Sequence, residues 1–282
     1  MRRRAAWVGY DEMAATGVYG ALLNETGELS LPPDGENEAA FFCSTLAGRD
    51  RVLDLGCGPG FPSVVLASSA RTVCGIDAAP AMLGKAKEAL ARLGISNVRL
   101  IRAFADKLPF VACAFDGIAV CGTLGSLGNP GAVLRELARV AAPGALVASL
   151  EQDFRRRLSE GVPREERRVR RDRGRLELQV VRYLTDPYRI RYEYYVLDPA
   201  SRSVQRLLEC AASRSVETAP TEVSPSDLPR EAVVDAFCEE EVQYDPELLR
   251  VALERAGFEL VKQTTAISYG VPHIFSVFRR QS

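Results

Sequence analysis

Apolar runs alternate with amphipathic segments through the middle third of the chain. The runs are rich in valine, isoleucine and leucine and have the length of buried strands. They lie at residues 51–55, 72–77, 97–101, 115–120 and 145–150. The segment 130–141, between the last two runs, carries apolar residues at helical spacing. This alternation predicts an α/β protein built on a mainly parallel sheet with helices on its faces.

The first 50 residues favour helices. Residues 13–23 and 36–46 are candidate helices, separated by the break Leu31-Pro32-Pro33-Asp34-Gly35. We therefore expect residues 1–48 to form a helical segment that precedes the sheet.

The last third of the chain predicts an insertion followed by a return to the core. Residues 176–184, 190–197 and 203–210 have strand propensity and predict an antiparallel meander. After it, Asp245-Pro246 predicts a helix start, and residues 259–278 predict two strands. The predicted core therefore comprises residues 49–152 and 245–282, and residues 153–244 form an inserted subdomain that we expect to cap the pocket.

Two oppositely charged segments flank the meander. Residues 155–175 contain ten arginines and four acids, whereas residues 217–247 contain ten acids and one arginine. We interpret the first as a solvated helix and the second as an acidic loop or cap. An RNA-binding or anion-binding patch is the alternative for the arginines, but no aromatic residues interleave them as a base-stacking surface requires.

The composition restricts the kinds of partner that we expect. The 282 residues carry a net charge of −1 with a pI near 6.1, which gives no electrostatic reason to expect nucleic acid or an acidic membrane as partner. Seven cysteines without a C-x-x-C pair indicate reduced, buried thiols. We find neither a signal peptide nor a membrane span in the pattern and expect a cytoplasmic protein of undetermined oligomeric state.

The candidate chemistry begins at the run Asp54-Leu55-Gly56-Cys57-Gly58-Pro59-Gly60, which breaks a buried strand with three alternating glycines. Glycine permits a tight turn and a close approach of backbone to ligand. The spacing is G-x-G-x-G, which departs from the dinucleotide fingerprint, and a P-loop Gly-Lys-Ser/Thr is missing. The carboxylate of Asp54 beside such a turn suits a ligand with an ammonium or sulfonium charge better than a pyrophosphate.

The second strand ends in Asp77, 21 residues after Gly56. A carboxylate at this position can accept both hydroxyls of a ribose, as in dinucleotide-binding folds. The helix that follows begins Ala78-Ala79-Pro80-Ala81-Met82. Met82 is either a core residue or a contact for a planar ligand.

These motifs resemble those of the class I S-adenosylmethionine-dependent methyltransferases, whose first motif is an acid-x-G-x-G-x-G loop. The resemblance implies a Rossmann-like, doubly wound, seven-stranded sheet whose last strand is antiparallel, and S-adenosylmethionine as cofactor. It implies cofactor contacts from Asp54, the three loop glycines, Asp77 and Ala78, with Met82 against the adenine. It also implies that the N-terminal segment is a lid, in which a tyrosine such as Tyr10 or Tyr19 can face the methyl group.

The third motif departs from the family. Its usual form is Gly-Asp-Ala-x-x-Leu-Pro-Phe, whose acid binds the adenine amino group, but Phe104 stands at the position of that acid. Asp106, the backbone at Ala105, or stacking by Phe104 are the three alternatives for this contact.

Beyond the fourth strand, the pattern Cys121-Gly122-Thr123-Leu124-Gly125-Ser126-Leu127 is similar to that of the glycine and sarcosine N-methyltransferases. Cys121 and Thr123 follow a strand end and are expected to line the site. Cys121 as a covalent nucleophile is the minor alternative, because no histidine lies nearby in sequence. His273, the only histidine, is a candidate general base or a structural residue.

We expect methyl transfer from S-adenosylmethionine to a small molecule, without a metal. An amine that arrives neutral needs no strong base, which favours nitrogen as acceptor over oxygen or carbon. Three alternatives stay open. One is RNA methylation, another is transfer or cyclisation of the aminocarboxypropyl arm of the cofactor, and the third is a non-catalytic cofactor-binding module.

Overall fold

A computed structural model describes most of the chain. The residues outside the description are 4, 6, 7, 9, 12, 13, 15–34, 128, 154–164, 173–174, 186–187, 203, 206–217, 221–223, 243 and 269–270. The chain divides into two compact units. One comprises Met1–Ala6 with Gly161–Val242, and the other comprises Trp7–Glu160 with Gln243–Ser282.

The second of these units contains a seven-stranded mixed sheet. Its strands are β2 (Arg51–Leu55), β3 (Thr72–Asp77), β4 (Val98–Arg102), β5 (Phe115–Cys121), β6 (Ala141–Gln152), β12 (Phe258–Ser268) and β13 (Val271–Arg280). Their order is β12-β13-β6-β5-β2-β3-β4. The strands from β4 to β6 are parallel, and β13 lies antiparallel between β12 and β6. The predicted fold class, a Rossmann-like sheet with an antiparallel last strand, is confirmed.

Five helices connect or flank these strands in the described part of the chain. They are α1 (Gly35–Leu46), α2 (Ser63–Leu66), α3 (Pro80–Arg92), α4 (Pro130–Val140) and α5 (Pro246–Arg255). Asn129 and Asp245 cap α4 and α5 by accepting hydrogen bonds from backbone amides, as their side-chain chemistry favours. These helices follow the apolar pattern that predicted them.

Helix α1 runs antiparallel to the parallel strands on one face of the sheet. Its last residue, Leu46, lies near Gly117 at the start of β5. Phe41, one turn and a half earlier, packs edge-on against Phe275 of β13 with ring centroids 5.2 Å apart. Phe42 and Leu46 belong to a buried cluster with residues of β2, β5 and β6. The first turn of α1 therefore lies at the carboxyl edge of the sheet.

The other unit contains a six-stranded sheet of order β1-β11-β9-β8-β7-β10. Its strands are β1 (Arg2–Arg3), β7 (Glu165–Asp172), β8 (Arg175–Thr185), β9 (Tyr188–Leu197), β10 (Thr218–Pro220) and β11 (Val233–Val242). All its pairings are antiparallel except that of β1 with β11. The predicted β8–β9 hairpin is confirmed.

Two predictions for this segment are wrong. The arginine-rich stretch was expected to be helical, but its described part forms strand β7. The acidic stretch, which was expected to be a loop or a cap, contributes strand β11. The predicted strand 203–210 is helical at its described residues Val204 and Gln205, and the rest lies outside the description. Strands β7 and β11 are hard to recognise in the sequence because they are rich in charged residues. These residues form salt bridges in the sheet and do not produce the apolar pattern that usually identifies a strand.

One row of salt bridges crosses four strands. Arg182 on β8 pairs with Glu165 on β7 at 2.5 Å and with Glu193 on β9 at 3.5 Å. Arg191 on β9 reaches Glu240 on β11 at 3.7 Å. These cross-strand pairs stabilise the sheet without an apolar pattern. Among the described residues, no helix is both long and apolar enough to cross a membrane.

Candidate cofactor and acceptor site

The candidate site lies at the carboxyl edge of the seven-stranded sheet. Strands β2, β3, β5 and β6 run in the same direction, so that Leu55, Asp77, Cys121 and Gln152 end them on one edge. Parallel α/β sheets bind ligands beyond this edge. The predicted site residues of the glycine loop, of the end of β3 and of the end of β5 therefore lie at the same edge of the sheet.

The glycine loop turns directly over the end of β3. Gly56, Gly58 and Gly60 have φ angles of +74°, +50° and +118°, which favour glycine over any other residue. The amide of Gly56 donates to the carbonyl of Ile76 at 2.9 Å, and the amide of Gly58 donates to Asp77 Oδ2 at 2.9 Å. These two hydrogen bonds therefore fix the loop against the end of strand β3.

The three glycines serve different steric purposes. A Cβ on Gly56 would lie 2.5 Å from Thr123 Oγ1, so this glycine lets the first loop and the segment after β5 approach each other. A Cβ on Gly60 would lie 3.5 Å from the backbone of Ala86, which packs α3 against the loop. A Cβ on Gly58 would meet no heavy atom within 4 Å. Gly58 therefore borders open space in which a ligand can approach the backbone.

Asp77 is half-buried and accepts two backbone hydrogen bonds. Besides Gly58, the amide of Ala79 donates to its Oδ1 at 2.8 Å. Burial raises the pKa of this carboxyl, while the amides of Ala79, Gly58 and Ala78 oppose the shift. Each carboxylate oxygen has a second lone pair, so the group retains capacity for hydroxyl donors. Ala78 is half-buried beside it.

Asp54 is fully buried on β2. Its Oδ2 accepts hydrogen bonds from the Ser63 amide at 2.8 Å and the Ser63 hydroxyl at 2.6 Å. Its Oδ1 is buried and has no hydrogen-bond partner among the described residues. Burial raises the pKa of Asp54 to about 7, against the lowering effect of the Ser63 bonds. A buried carboxylate oxygen without a donor is costly unless a ligand supplies one.

Cys121 is half-buried at the end of β5. Burial raises the pKa of its thiol well above the usual value, and the negative charges of Glu38, Glu151 and Asp54 raise it further. The thiol is therefore protonated, which removes the nucleophile that a covalent mechanism needs. The acidic side chains of Glu38, Glu151 and Asp54 therefore lie near enough to this strand end to act on the thiol.

The N-terminal segment reaches the same edge through its described residues. The hydroxyl groups of Tyr10 and Ser126 lie 3.0 Å apart, and the amide of Ala81 donates to Asp11 Oδ1 at 2.6 Å. Ala14 forms a buried cluster with Ala79 and Met82. Met82 is 2% exposed, so in this structure it is a core residue at the start of α3. Tyr19, the other candidate in this segment, lies outside the described residues.

The third motif follows β4, next to β3, where the amide of Ala103 donates to the carbonyl of Asp77 at 3.1 Å. Ala105 is half-buried and Asp106 is exposed. Phe104 is 48% exposed, which is unusual for a large apolar side chain. The three alternatives for the adenine contact stay predictions.

His273 lies near the start of β13, opposite Gln152 of β6 and Ala266 of β12. It is 8% exposed. Its register places it two residues from Phe275, which packs on the buried cluster under α1, so His273 faces the same side of the sheet as that helix. Its role as a base stays a prediction.

Three polar residues of this edge were not predicted. Ser63 holds Asp54, and Glu151 Oε1 accepts hydrogen bonds from the amides of Thr123 at 3.2 Å and Leu124 at 3.1 Å. Glu38 is buried in the first turn of α1. Glu151 could have been found, because an acid that ends a buried strand is the same signal that identified Asp77. Glu38 carries no such signal, since one acid in a helix is ordinary.

Comparison with known proteins agrees with this architecture. Residues 52–144 match the family model described as a methyltransferase domain. The probable methyltransferase ltbC of Aspergillus luteorubrus is 32% identical over 161 residues, which cover 50% of this chain and 56% of that protein. The chain spans about half the length of the curated relatives it matches.

Solved structures share the fold at low identity. The CcbJ methyltransferase from Streptomyces caelestis has a TM-score of 0.62 and 18% identity, covering 97% of this chain and 98% of that chain. The cyclase SpnF has a TM-score of 0.60 and 16% identity, covering 100% and 98%. One neighbour is thus titled a methyltransferase and another a cyclase. Residues 52–144 therefore match a methyltransferase domain, and the chain shares its fold with proteins that include a methyltransferase.

Proposed function

We propose that this chain transfers the methyl group of S-adenosylmethionine to an amine nitrogen of a small molecule. The observation that carries the proposal is the pairing of two carboxylates with one glycine loop. Asp77 holds the loop through Gly58, and Asp54 presents a buried oxygen without a donor beneath it. The finer resemblance to glycine and sarcosine N-methyltransferases stays a prediction within this proposal.

The residues present fit S-adenosylmethionine. Its ammonium group would supply the donor that Asp54 Oδ1 lacks, and its ribose hydroxyls are the donors that Asp77 can still accept. The open space at Gly58 allows close approach of the ligand to the loop backbone. We assign the cofactor to Asp54, Gly56, Gly58, Gly60, Asp77, Ala78 and Cys121, with Met82, Ala105 and Asp106 as the candidates at the adenine.

When bound, the cofactor supplies a methyl group already activated by a sulfonium. The chain then has to hold an acceptor nitrogen in line with that methyl group and exclude water. The carboxylates of Glu38, Glu151 and Asp54, which act on the Cys121 thiol, favour cationic ligands and disfavour anionic ones. An amine meets both requirements, since it binds as a cation and attacks as a neutral group once it has lost a proton.

The first test is calorimetric titration of the chain with S-adenosylmethionine and, separately, with NAD. Binding of the first alone is expected. Panels of amines, alcohols and thiols are then screened by mass for the addition of one methyl group, and amines are expected to react. NAD binding, or tight cofactor binding without turnover on any acceptor, would contradict the proposal. Products that carry the aminocarboxypropyl arm instead would indicate a different reaction of the same cofactor.

A further inference from the structure

A second buried carboxylate at the carboxyl edge lacks a hydrogen-bond donor. Glu38 is 1% exposed, and its Oε1 accepts a hydrogen bond from the Ser268 hydroxyl. Its Oε2 is buried and has no hydrogen-bond partner among the described residues. Glu38 and Asp54 are the only described residues with an unpartnered buried carboxylate oxygen. An ionised carboxylate is rarely buried in this way unless a cation pairs with it.

The position of Glu38 is fixed by helix α1. It lies one turn before Phe42, which places it on the buried face of the helix, toward the carboxyl edge of the sheet. Phe42 packs in the same cluster as Leu150 and Cys121, and its ring contacts Phe61 at the end of the glycine loop, 6.1 Å between centroids. The carboxylate therefore lies on the side of the sheet that carries both Cys121 and Asp54.

Ser268 holds this carboxylate from the far side. It ends strand β12, which runs in the same direction as β6 because both are antiparallel to β13. Its register partner is Val271, beyond the row that contains His273 and Gln152. Ser268 thus lies at the carboxyl edge, and its hydroxyl orients Oε1 while Oε2 stays available.

From this arrangement we infer that Glu38 recognises an ammonium group of the acceptor, which donates a hydrogen bond to Oε2. The two unpartnered oxygens then have separate ligands: Asp54 takes the ammonium group of the cofactor, and Glu38 takes that of the acceptor. A nitrogen that donates to Oε2 in this way can pass to it the proton that it must lose before it can attack. This inference rests on the proposed function and names the recognition residue of its substrate class.

The test measures binding directly. The chain is loaded with S-adenosylhomocysteine, which has no methyl group to transfer, and titrated calorimetrically with butylamine, benzylamine and phenethylamine. The corresponding alcohols are the neutral counterparts. We expect at least one amine to bind about tenfold more tightly than its alcohol, as a charge-assisted hydrogen bond allows. Glu38→Gln should abolish this preference and leave the affinity for S-adenosylmethionine unchanged.

The control variant is Glu259→Gln, a change of the same chemistry at the exposed opposite end of β12, which should retain the preference. If Glu38→Gln does not fold, Ser268→Ala retains the charge and should reduce the preference by about threefold, because Oε1 loses its donor. The inference is overturned if no amine binds better than its alcohol, if the preference persists in Glu38→Gln, or if that variant loses the cofactor instead.

Failure of the inference and failure of the proposed function give different results. A wild-type chain that binds an amine through Glu38 but methylates none would disprove the proposed function alone. If the chain methylates an amine, and the affinity for that amine is unchanged in Glu38→Gln, the inference alone is disproved.

Discussion

At the scale of single residues, Asp77 links the glycine loop to the end of β3. The change Asp77→Ala removes the acceptor of the Gly58 and Ala79 amides as well as the proposed acceptor of ribose hydroxyls. We expect S-adenosylmethionine to bind more weakly by about 1–3 kcal/mol, which is the usual contribution of hydrogen bonds to a charged group. Calorimetric titration of both proteins measures this difference.

A matched control for this change is Asp50→Ala. Asp50 precedes β2 at the amino edge of the same sheet and is exposed beside Arg71. Its replacement should leave cofactor affinity as it is, because no predicted site residue lies at that edge. Equal affinity of Asp77→Ala and the wild-type chain would remove Asp77 from the site.

Asp54 makes the properties of the chain depend on pH near neutrality. Burial raises the pKa of this carboxyl from 3.8 to about 7 in the folded chain, so between these values the folded state binds a proton that the unfolded state has lost. The free energy of unfolding should therefore decrease as pH rises from about 4 to about 7, because the native state binds more protons. Asp54→Asn should show a flatter dependence in the same window.

The same titration should govern ligand binding. Only the ionised carboxylate attracts an ammonium group, so the affinity for S-adenosylmethionine should increase as pH rises through about 7. In Asp54→Asn this increase should be absent, with Oδ1 replaced by a neutral group. Parallel pH profiles for the two proteins, measured by calorimetry, would show that Asp54 does not contact the cofactor.

At the scale of elements, changes at two glycines of the loop should affect stability and cofactor binding differently. In Gly56→Ala the new Cβ would collide with Thr123, in addition to the strain of a positive φ angle, which costs about 1–2 kcal/mol for a non-glycine residue. In Gly58→Ala only the strain applies, because the Cβ enters open space. We expect Gly56→Ala to lose more stability, measured by urea unfolding, and Gly58→Ala to lose cofactor binding with a smaller loss of stability.

Gly84→Ala is the reference for this comparison. Gly84 lies in helix α3 at a negative φ angle with open space around its Cα, so alanine should stabilise the chain by up to about 1 kcal/mol. Its cofactor affinity should match that of the wild-type chain. If Gly58→Ala bound the cofactor equally well, the space beside Gly58 would not belong to the site.

The elements also show how far sequence reasoning reaches. Strands β2, β3 and β5 were predicted because each is an apolar run that ends in a glycine or an acid, a signal contained in a few adjacent residues. Strand β7 was missed because it is a run of charged residues without an apolar face, and the contacts that fix it in the sheet include pairs with another strand, as Glu165 makes with Arg182. Glu38 was missed for a related reason: its burial depends on the contact of α1 with distant strands, and its own helix gives no indication of it.

At the scale of the whole molecule, the charge distribution favours a small acceptor over RNA. Three arginines of β7 and β8 are paired with acids: Arg167 with Glu165, Arg168 with Glu166, and Arg182 with both Glu165 and Glu193. Paired arginines have less charge available to neutralise phosphates and release counterions. The net charge of −1 adds no general attraction for nucleic acid.

We therefore expect no saturable binding of RNA at about 0.15 M salt. Fluorescence anisotropy with a labelled single-stranded RNA and a labelled hairpin provides the measurement, and repeating it at lower salt provides the sensitivity. Binding to RNA would have to weaken with salt. For a single strand, the logarithm of the association constant should fall with the logarithm of the salt concentration with a slope near −0.7 for each phosphate contacted. If such binding occurred and were lost on Arg167→Glu and Arg168→Glu together, β7 would be a nucleic-acid surface and the acceptor would have to be sought in RNA. Binding that survived those changes would point to the arginines of 155–164, outside the described residues, and would contradict the small-molecule proposal equally.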